Sequence, residues 1–472
     1  MSSDMDAPPI VTPEVLATLP AEVLSLIQWQ ARQIAQLQRE VAELKARLNQ
    51  DSTNSSLPPS SAHPHAKPTP TPSKSQRKQG GQPGHPKQER ALVPVEQCQA
   101  VVPCVPTACR RCGDLLQGTD PAPLRHQVWE LPEIQPHLTE YQRHRLTCAC
   151  GSATCGPLPP GVPSGQAGPR LIAFAGLLMA CFRQSKRRAA QFLSMILQQP
   201  ASAGWLVQLQ HRCAAAVQPA YDALAARLPD QPVLYIDESP TKEGSATAWV
   251  WTVVAPDFTF FACRTSRGGE VLDALLGTDY AGVIHGDRAK MYWRFGRLQW
   301  CWAHLKRDFQ ALIDGACRTA KRLGHDLMRP TVDLFRLWHR VRDGTLLRST
   351  LVRRIQPLRE TVSRLLLRGC LNATTHGMCK ELWRHQEHLW TFLQVEGVEP
   401  TNNAAERALR PAVIWRKLSF GTQSAAGSRF VERLLTVIET CRRTGHNVFA
   451  WLTDAVRAQL HGRSAPSLLP TP

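Results

Sequence analysis

Val233-Leu234-Tyr235-Ile236-Asp237-Glu238-Ser239 sets four residues of strand propensity directly before a carboxylate pair, with Pro229 and Pro232 breaking the chain just upstream. A buried strand that ends in Asp holds a carboxylate rigidly at the rim of a sheet. The pattern continues outward from it. Trp249 to Val254 and Phe258 to Cys263 read as two more strands, Val271 to Leu276 as a short helix, and Gly282 to His285 as a fourth strand ending beside Asp287. Two strand ends can thus bring Asp237 and Asp287 together. Leu298 to Cys301 reads as a fifth strand, and a helix opens near Trp302 carrying His304, Lys306, Arg307 and Phe309.

The totals bound the rest. A chain of 472 residues is too long for one simple core, and length suggests roughly three domains. The net charge of +18, from 56 Lys and Arg against 38 Asp and Glu, fits a polyanion partner, nucleic acid before membrane. The longest apolar run, Leu171 to Phe182, is far short of the roughly 20 residues that cross a bilayer, and the amino terminus does not resemble a signal peptide. Fifteen scattered cysteines argue for a reducing compartment rather than a disulfide scaffold. A reducing, cytoplasmic compartment is expected.

Upstream of the strands, Ile27, Ile34, Val41 and Leu48 recur every seventh position, interleaved with Val23, Gln30, Leu37 and Leu44. β-branched residues at one core position and Leu at the other favour a parallel dimeric coiled coil over 15–50, with Gln30 setting register. The alternative is an amphipathic helix packed on its own chain. Residues 51–95 read as a basic, disordered linker able to lie along phosphates. Residues 96–160 hold Cys109-Arg110-Arg111-Cys112, then Cys148-Ala149-Cys150 and Cys155. This is the pattern of a structural Zn²⁺ module, with Cys155 a substitute fourth ligand. Without metal, Trp129, Leu131, Ile134 and Leu138 would have to supply its core. Residues 170–230, read as helical over Leu171 to Gln199 and again from Ala203 to Leu228, lead into a sheet domain over 231–310. An all-helical insertion follows over 311–398, and the chain returns over 399–461 before a tail at 462–472.

The return carries Asn402-Asn403-Ala404-Ala405-Glu406-Arg407-Ala408-Leu409-Arg410-Pro411. A helix starting here would place Glu406, Arg407 and Arg410 on or beside one face. Three carboxylates suit phosphodiester chemistry, because attacking and leaving oxygens are held by two divalent cations about 4 Å apart and hard cations prefer oxygen ligands. Arg407, Arg410, Arg416 and Lys417 would contact DNA phosphates. Each position also has a plainer reading. Asn403 as N-cap with Glu406 three residues on is a capping box that needs no metal, Asp237 is a carboxylate at a strand end, and Asp287 is a turn residue after Gly286.

Taken together, Tyr235-Ile236-Asp237-Glu238, Gly286-Asp287 with Tyr292, Cys301-Trp302-Ala303-His304-Leu305-Lys306-Arg307-Asp308-Phe309 and the Asn402–Pro411 segment resemble bacterial insertion-sequence transposases of the IS-sixty-six type. Trp415-Arg416-Lys417, Phe420-Gly421 and Glu439-Thr440 extend the likeness, which covers nearly the whole chain. The resemblance implies an α/β, ribonuclease-H-like mixed sheet core with an all-helical insertion, preceded by a coiled coil and a small cysteine-rich zinc-binding module. It implies Asp237, Asp287 and Glu406 as catalytic ligands of two Mg²⁺ or Mn²⁺ ions, and Glu238, Cys301, His304 and Asn403 as supporting residues. The partners it implies are terminal inverted repeats and target DNA, a second copy of the chain, and small element-encoded accessory proteins. A nuclease with the same core that cuts without joining, and an inactive DNA-binding relative, are the rival functions. Three positions depart from the family's usual form: Ser239 stands where Thr is common, Arg288 follows Asp287 where a small residue is frequent, and the second cysteine pair is unusually tight.

Overall fold

The computed structural model describes residues 19–48 and 90–469. Positions 15–18 and 49–50 of the expected coiled coil, 51–89 of the expected linker and 470–472 of the tail lie outside the described residues.

Helix α1 (Ala21–Leu48) carries the heptad residues, and Val23, Ile27, Ile34, Leu37, Val41 and Leu44 are all exposed. In the cysteine segment the secondary structure is a small antiparallel hairpin, β1 (Arg145–Thr147) and β2 (Ala153–Cys155). The metal-free alternative, a core of Trp129, Leu131, Ile134 and Leu138, is not seen: all four are exposed on extended chain.

Three helices follow, α2 (Pro169–Ala180), α3 (Lys186–Ile196) and α4 (Ala203–Ala226). The stretch read as one helix over Leu171–Gln199 is two. Arg183 takes a left-handed backbone conformation, and the Ser185 hydroxyl accepts from the Arg188 amide to start α3 anew.

The sheet comprises β3 (Val233–Glu243), β4 (Ala246–Val254), β5 (Thr259–Arg264), β6 (Val283–Gly286) and β7 (Leu298–Trp300), in the order β5-β4-β3-β6-β7. β3 pairs antiparallel with β4 and parallel with β6, and β6 pairs parallel with β7. Helix α5 (Gly269–Leu276) lies in the crossover from β5 to β6. β3 does not end at Asp237, as its sequence suggested. Its antiparallel pairing runs on to Glu243↔Ala246, whereas its parallel pairing stops at Tyr235↔His285. Asp237 therefore lies on continuous strand, just where the parallel neighbour falls away.

Both sheet edges are covered, which removes the exposed ladder groups that would template aggregation. After α6 (Trp302–Asp314), the helices α7 (Arg318–Arg342), α8 (Arg348–Gly369), α9 (His376–Arg384) and α10 (Thr391–Gln394) precede α11 (Asn403–Ser419). The turn into α10 covers β7: the Gln299 side chain donates to Leu389 O (3.2 Å) and accepts from Phe392 N (2.7 Å), and Thr391 donates to Leu298 O (2.5 Å).

At the other edge, α12 (Ala425–Thr444) lies along β5. Glu432, Thr436 and Thr440 accept from the amides of Cys263 (2.7 Å), Phe261 (2.9 Å) and Thr259 (3.2 Å). Four helical residues advance about 6 Å and two strand residues about 7 Å, so side chains spaced by four match amides spaced by two. Apolar Val431, Leu434, Leu435, Ile438 and Cys441 are buried as their spacing predicts. Tyr221 of α4 donates to Phe261 O (2.9 Å), and α13 (Val448–Leu460) packs on α2 and α4. Among the described residues, no helix is long and apolar enough to cross a membrane.

Candidate active site

Because Tyr235 and His285 are register partners, Asp237 within β3 and Asp287 just past the end of β6, each two residues further on, stand at the same level of adjacent parallel strands. The Glu238 amide donates to Asp237 Oδ1 (3.0 Å), and the Ala289 amide to Asp287 Oδ1 (2.8 Å). Burial, then the charges of Glu238, Glu406 and Asp287, push the Asp237 carboxyl up to about 8. Three of the carboxylates picked from the sequence are thus close enough to act on a fourth.

Glu406 arrives from the far end of the helical segment, held by backbone bonds. Tyr235 donates to Gly397 O (2.7 Å) and accepts from Glu399 N (3.0 Å), while His285, stacked on Tyr235, pairs through Nε2 with Glu399 O (2.9 Å). The Trp302 amide donates to Pro400 O (2.9 Å). Asn402 Nδ2 then donates to Ile236 O (2.7 Å), one residue before Asp237. The capping box expected of Asn403 and Glu406 is absent: Asn402 holds the cap position, Asn403 is the first helical residue, and no side chain caps the helix. The bond from Nδ2 to β3 fixes the Asn402 side chain, and its Oδ1, the atom that would accept in a local cap, is left buried without a hydrogen-bond partner.

Glu238 is saturated by Arg267 (2.7 and 2.8 Å) and the Tyr292 hydroxyl (2.7 Å), and Arg267 lies over the Trp249 ring. Arg267 is not predictable without the sheet, and Tyr292, legible beside Asp287 as part of a motif, gains its role as a donor to Glu238 only from the structure. Arg288 turns away from the carboxylates to Asp308 (2.8 Å) and Glu381 (3.3 Å), tying the strand end to α6 and α9. Arg407, Arg410 and Lys417 are exposed. Arg416 instead donates to Ser239 Oγ (3.1 Å) and to Pro240 O. The end of α11 is locked onto the β3–β4 hairpin, where Gly421 (φ +104) passes so close that a Cβ would lie 2.4 Å from Lys242 O.

Cys301 and His304 lie at the start of α6, facing Glu406. The ligand atoms of these three residues fall within 4.8 Å of one another. The other such group among the described residues is His385, Glu387 and His388, on the turn over β7. A cavity of about 680 Å³ opens nearby between α6 and α7, with Lys306, Arg336 and Arg340 beside Phe335 and Val332, and Asn403 at its rim.

The cysteine segment forms two tight turns. Backbone amides favour the thiolates of Cys109 and Cys148, lowering both from their ordinary values. Cys112, Cys150 and Cys155 are exposed alongside. No three of these five sulfurs gather within 4.8 Å among the described residues.

The Transposase IS66 family matches residues 164–429, the whole span of these strands and carboxylates. The chain belongs to the IS66 transposase family. A family of unknown function, DUF6444, matches residues 11–91. Two relatives from Sinorhizobium fredii are similar and uncharacterized: protein y4hP is 25% identical over 74% of this chain and 70% of its own length, and y4qI is 23% identical over 52% and 51%.

Proposed function

We propose that this IS66-family chain cleaves and rejoins DNA at the terminal inverted repeats of an insertion sequence, using Asp237, Asp287 and Glu406. The observation that carries the reading is the gathering of these carboxylates from β3, the end of β6 and the first turn of α11. The strand order 3-2-1-4-5 within the sheet, antiparallel on one side and parallel on the other, supports a ribonuclease-H-like core. The residues fit hard divalent cations such as Mg²⁺ or Mn²⁺: oxygen donors predominate, and the burial and repulsion that raise Asp237 are what a bound cation would offset.

When bound, such ions supply Lewis-acid polarisation and charge neutralisation at the phosphate. The chain supplies the rest. Asp237 on β3 and Asp287 just past the end of β6 fix the site, and Glu238 is held in position by Arg267 and Tyr292. Arg407 and Arg410 on α11 are free to grip phosphate oxygens. Water would open the strand first, and the released 3′ hydroxyl would attack target DNA in the same pocket, since both steps are in-line displacements at phosphorus.

The exposed apolar stripe of α1 supports pairing with a second copy, which would bring two element ends together. Amide-flanked Cys109 and Cys148 support a structural Zn²⁺ held with Cys112 and Cys150 or Cys155.

The test is cleavage and joining of a labelled terminal repeat in Mg²⁺ by the unchanged protein and by Glu406→Gln. Joined product that is lost with Glu406→Gln supports the reading. Cleavage without joining would indicate a nuclease, and tight binding without any product would overturn the catalytic account.

A further inference from the structure

Two polar atoms at the start of α6 and α11 face each other without satisfying one another. His304 Nδ1 and Glu406 Oε1 are 3.7 Å apart, both are out of water, and neither has a hydrogen-bond partner. An orphaned pair of this kind is rare in a folded protein, because each lost hydrogen bond is costly. Beside them sits Cys301, buried, with Sγ accepting from the Asn402 amide (3.2 Å) and turned toward the amides of Ala303 and His304. Backbone amides converging on a sulfur favour a thiolate. Cys301 and His304 are three residues apart on the first turn of one helix, a spacing that lets two ligands share a cation.

The geometry points to a binding site for one borderline divalent ion, of the Zn²⁺ or Co²⁺ class, held by Cys301 Sγ, His304 Nδ1 and Glu406 Oε1. In a tetrahedral site with bonds of about 2.0 Å, nitrogen and oxygen ligands stand about 3.3 Å apart, so the observed gap need close by only a few tenths of an ångström. Thiolate and imidazole select against Mg²⁺. Three protein ligands leave a fourth position open to water or to a phosphate oxygen. Burial holds the metal-free Cys301 thiol up near about 11, and burial with Arg307 nearby keeps His304 neutral. Binding therefore sends one proton, from the thiol, to solvent. The inference deepens the transposase reading and rests on it in one respect, that Glu406 serves both; one cation position in the candidate site would then take a softer ion.

The full-length, reduced protein is stripped with chelator and titrated with Co²⁺ beside Cys301→Ser and His304→Ala. The difference spectrum matters, because Cys109, Cys112 and Cys148 also offer sulfur, whereas His385, Glu387 and His388 have none and are silent in the sulfur-to-cobalt charge-transfer band. The expected result is one Co²⁺ fewer per chain in Cys301→Ser, with loss of part of that band, and binding at that site at least tenfold weaker in His304→Ala, which retains the thiol and the fold by circular dichroism. Equal stoichiometry and equal spectra for all three proteins would overturn the site. If that occurs while Mg²⁺-dependent cleavage persists and still needs Glu406, the transposase reading stands alone. A difference band in a protein that cuts no DNA with any metal supports the ion site and sinks the other reading.

Discussion

Asp237 gives a prediction that separates electrostatics from mere packing. Its carboxyl is displaced from 3.8 to about 8 by burial and by three neighbouring carboxylates, which at about 1.4 kcal/mol per pH unit is at most about 6 kcal/mol. The residue keeps some contact with solvent, so about 2–3 kcal/mol is a realistic share. The sign follows from the direction. A carboxyl whose folded value lies above its unfolded value binds protons better when folded, so the metal-free protein loses stability as pH rises from about 4 to about 8, and the penalty is complete above that. Asp237→Asn removes the charge and can keep the bond from the Glu238 amide. In chelator, denaturant unfolding should show the variant more stable than the unchanged protein by about 2–3 kcal/mol at pH 8, with the advantage gone at pH 4. Mg²⁺ should then stabilise the unchanged protein at pH 8 and the variant much less. A variant no more stable at pH 8, or one whose gain is the same at pH 4, would refute the reasoning, because the carboxylate cluster would then exert no titratable strain.

Three further outcomes are expected. Glu432→Ala deletes the acceptor for the Cys263 amide and the partner of Arg264 (3.2 Å) and Arg429 (3.1 Å), and should cost about 3–5 kcal/mol of folding stability in denaturant melts; Glu439→Ala, on the same helix, should cost far less. Asn402→Ala removes the bond to Ile236 O, and should lower stability by about 1–3 kcal/mol while reducing strand cleavage more than tenfold; a variant that folds and cuts normally would dissociate that bond from placement of Glu406. Leu37→Lys with Leu44→Lys places charge on the exposed stripe of α1, and light scattering should show a dimer become a monomer with the far-ultraviolet signal of the sheet domain retained.

The strands and the first turns of α6 and α11 were legible because each is a local pattern: β-branched runs ended by turn residues, and an apolar face of helical period. Asp237, Asp287 and Glu406 were legible as a set only through their resemblance to a family, since the capping-box alternative for Glu406 was locally just as good. What stayed hidden depends on separation in sequence. The buried polar line Glu432, Thr436 and Thr440 looks like part of a solvated helix until β5 is placed beside it. The break at Arg183 is not legible because neither Gly nor Pro marks it, and a non-glycine residue takes the left-handed conformation there. Tyr292 and Arg267 could be assigned to Glu238 only once β3 and the end of β6 were known to be neighbours.

The way Glu406 is delivered follows from the charge problem at the site. Carboxylates repel, so a cluster of them cannot be assembled by its own attractions, and burial together with that repulsion raises Asp237. The bonds that bring the returning chain to β3 are accordingly to backbone atoms: Tyr235 to Gly397 O and from Glu399 N, His285 with Glu399 O, Trp302 N to Pro400 O, and Asn402 to Ile236 O. None of them depends on the charge state of the cluster. Glu406 is therefore positioned without help from the charges around it. The return path of the helical segment between α6 and α11 is thus fixed by five neutral contacts at its end, while its interior is tied back to the core by the bonds over β7 and the pairing of Glu381 with Arg288.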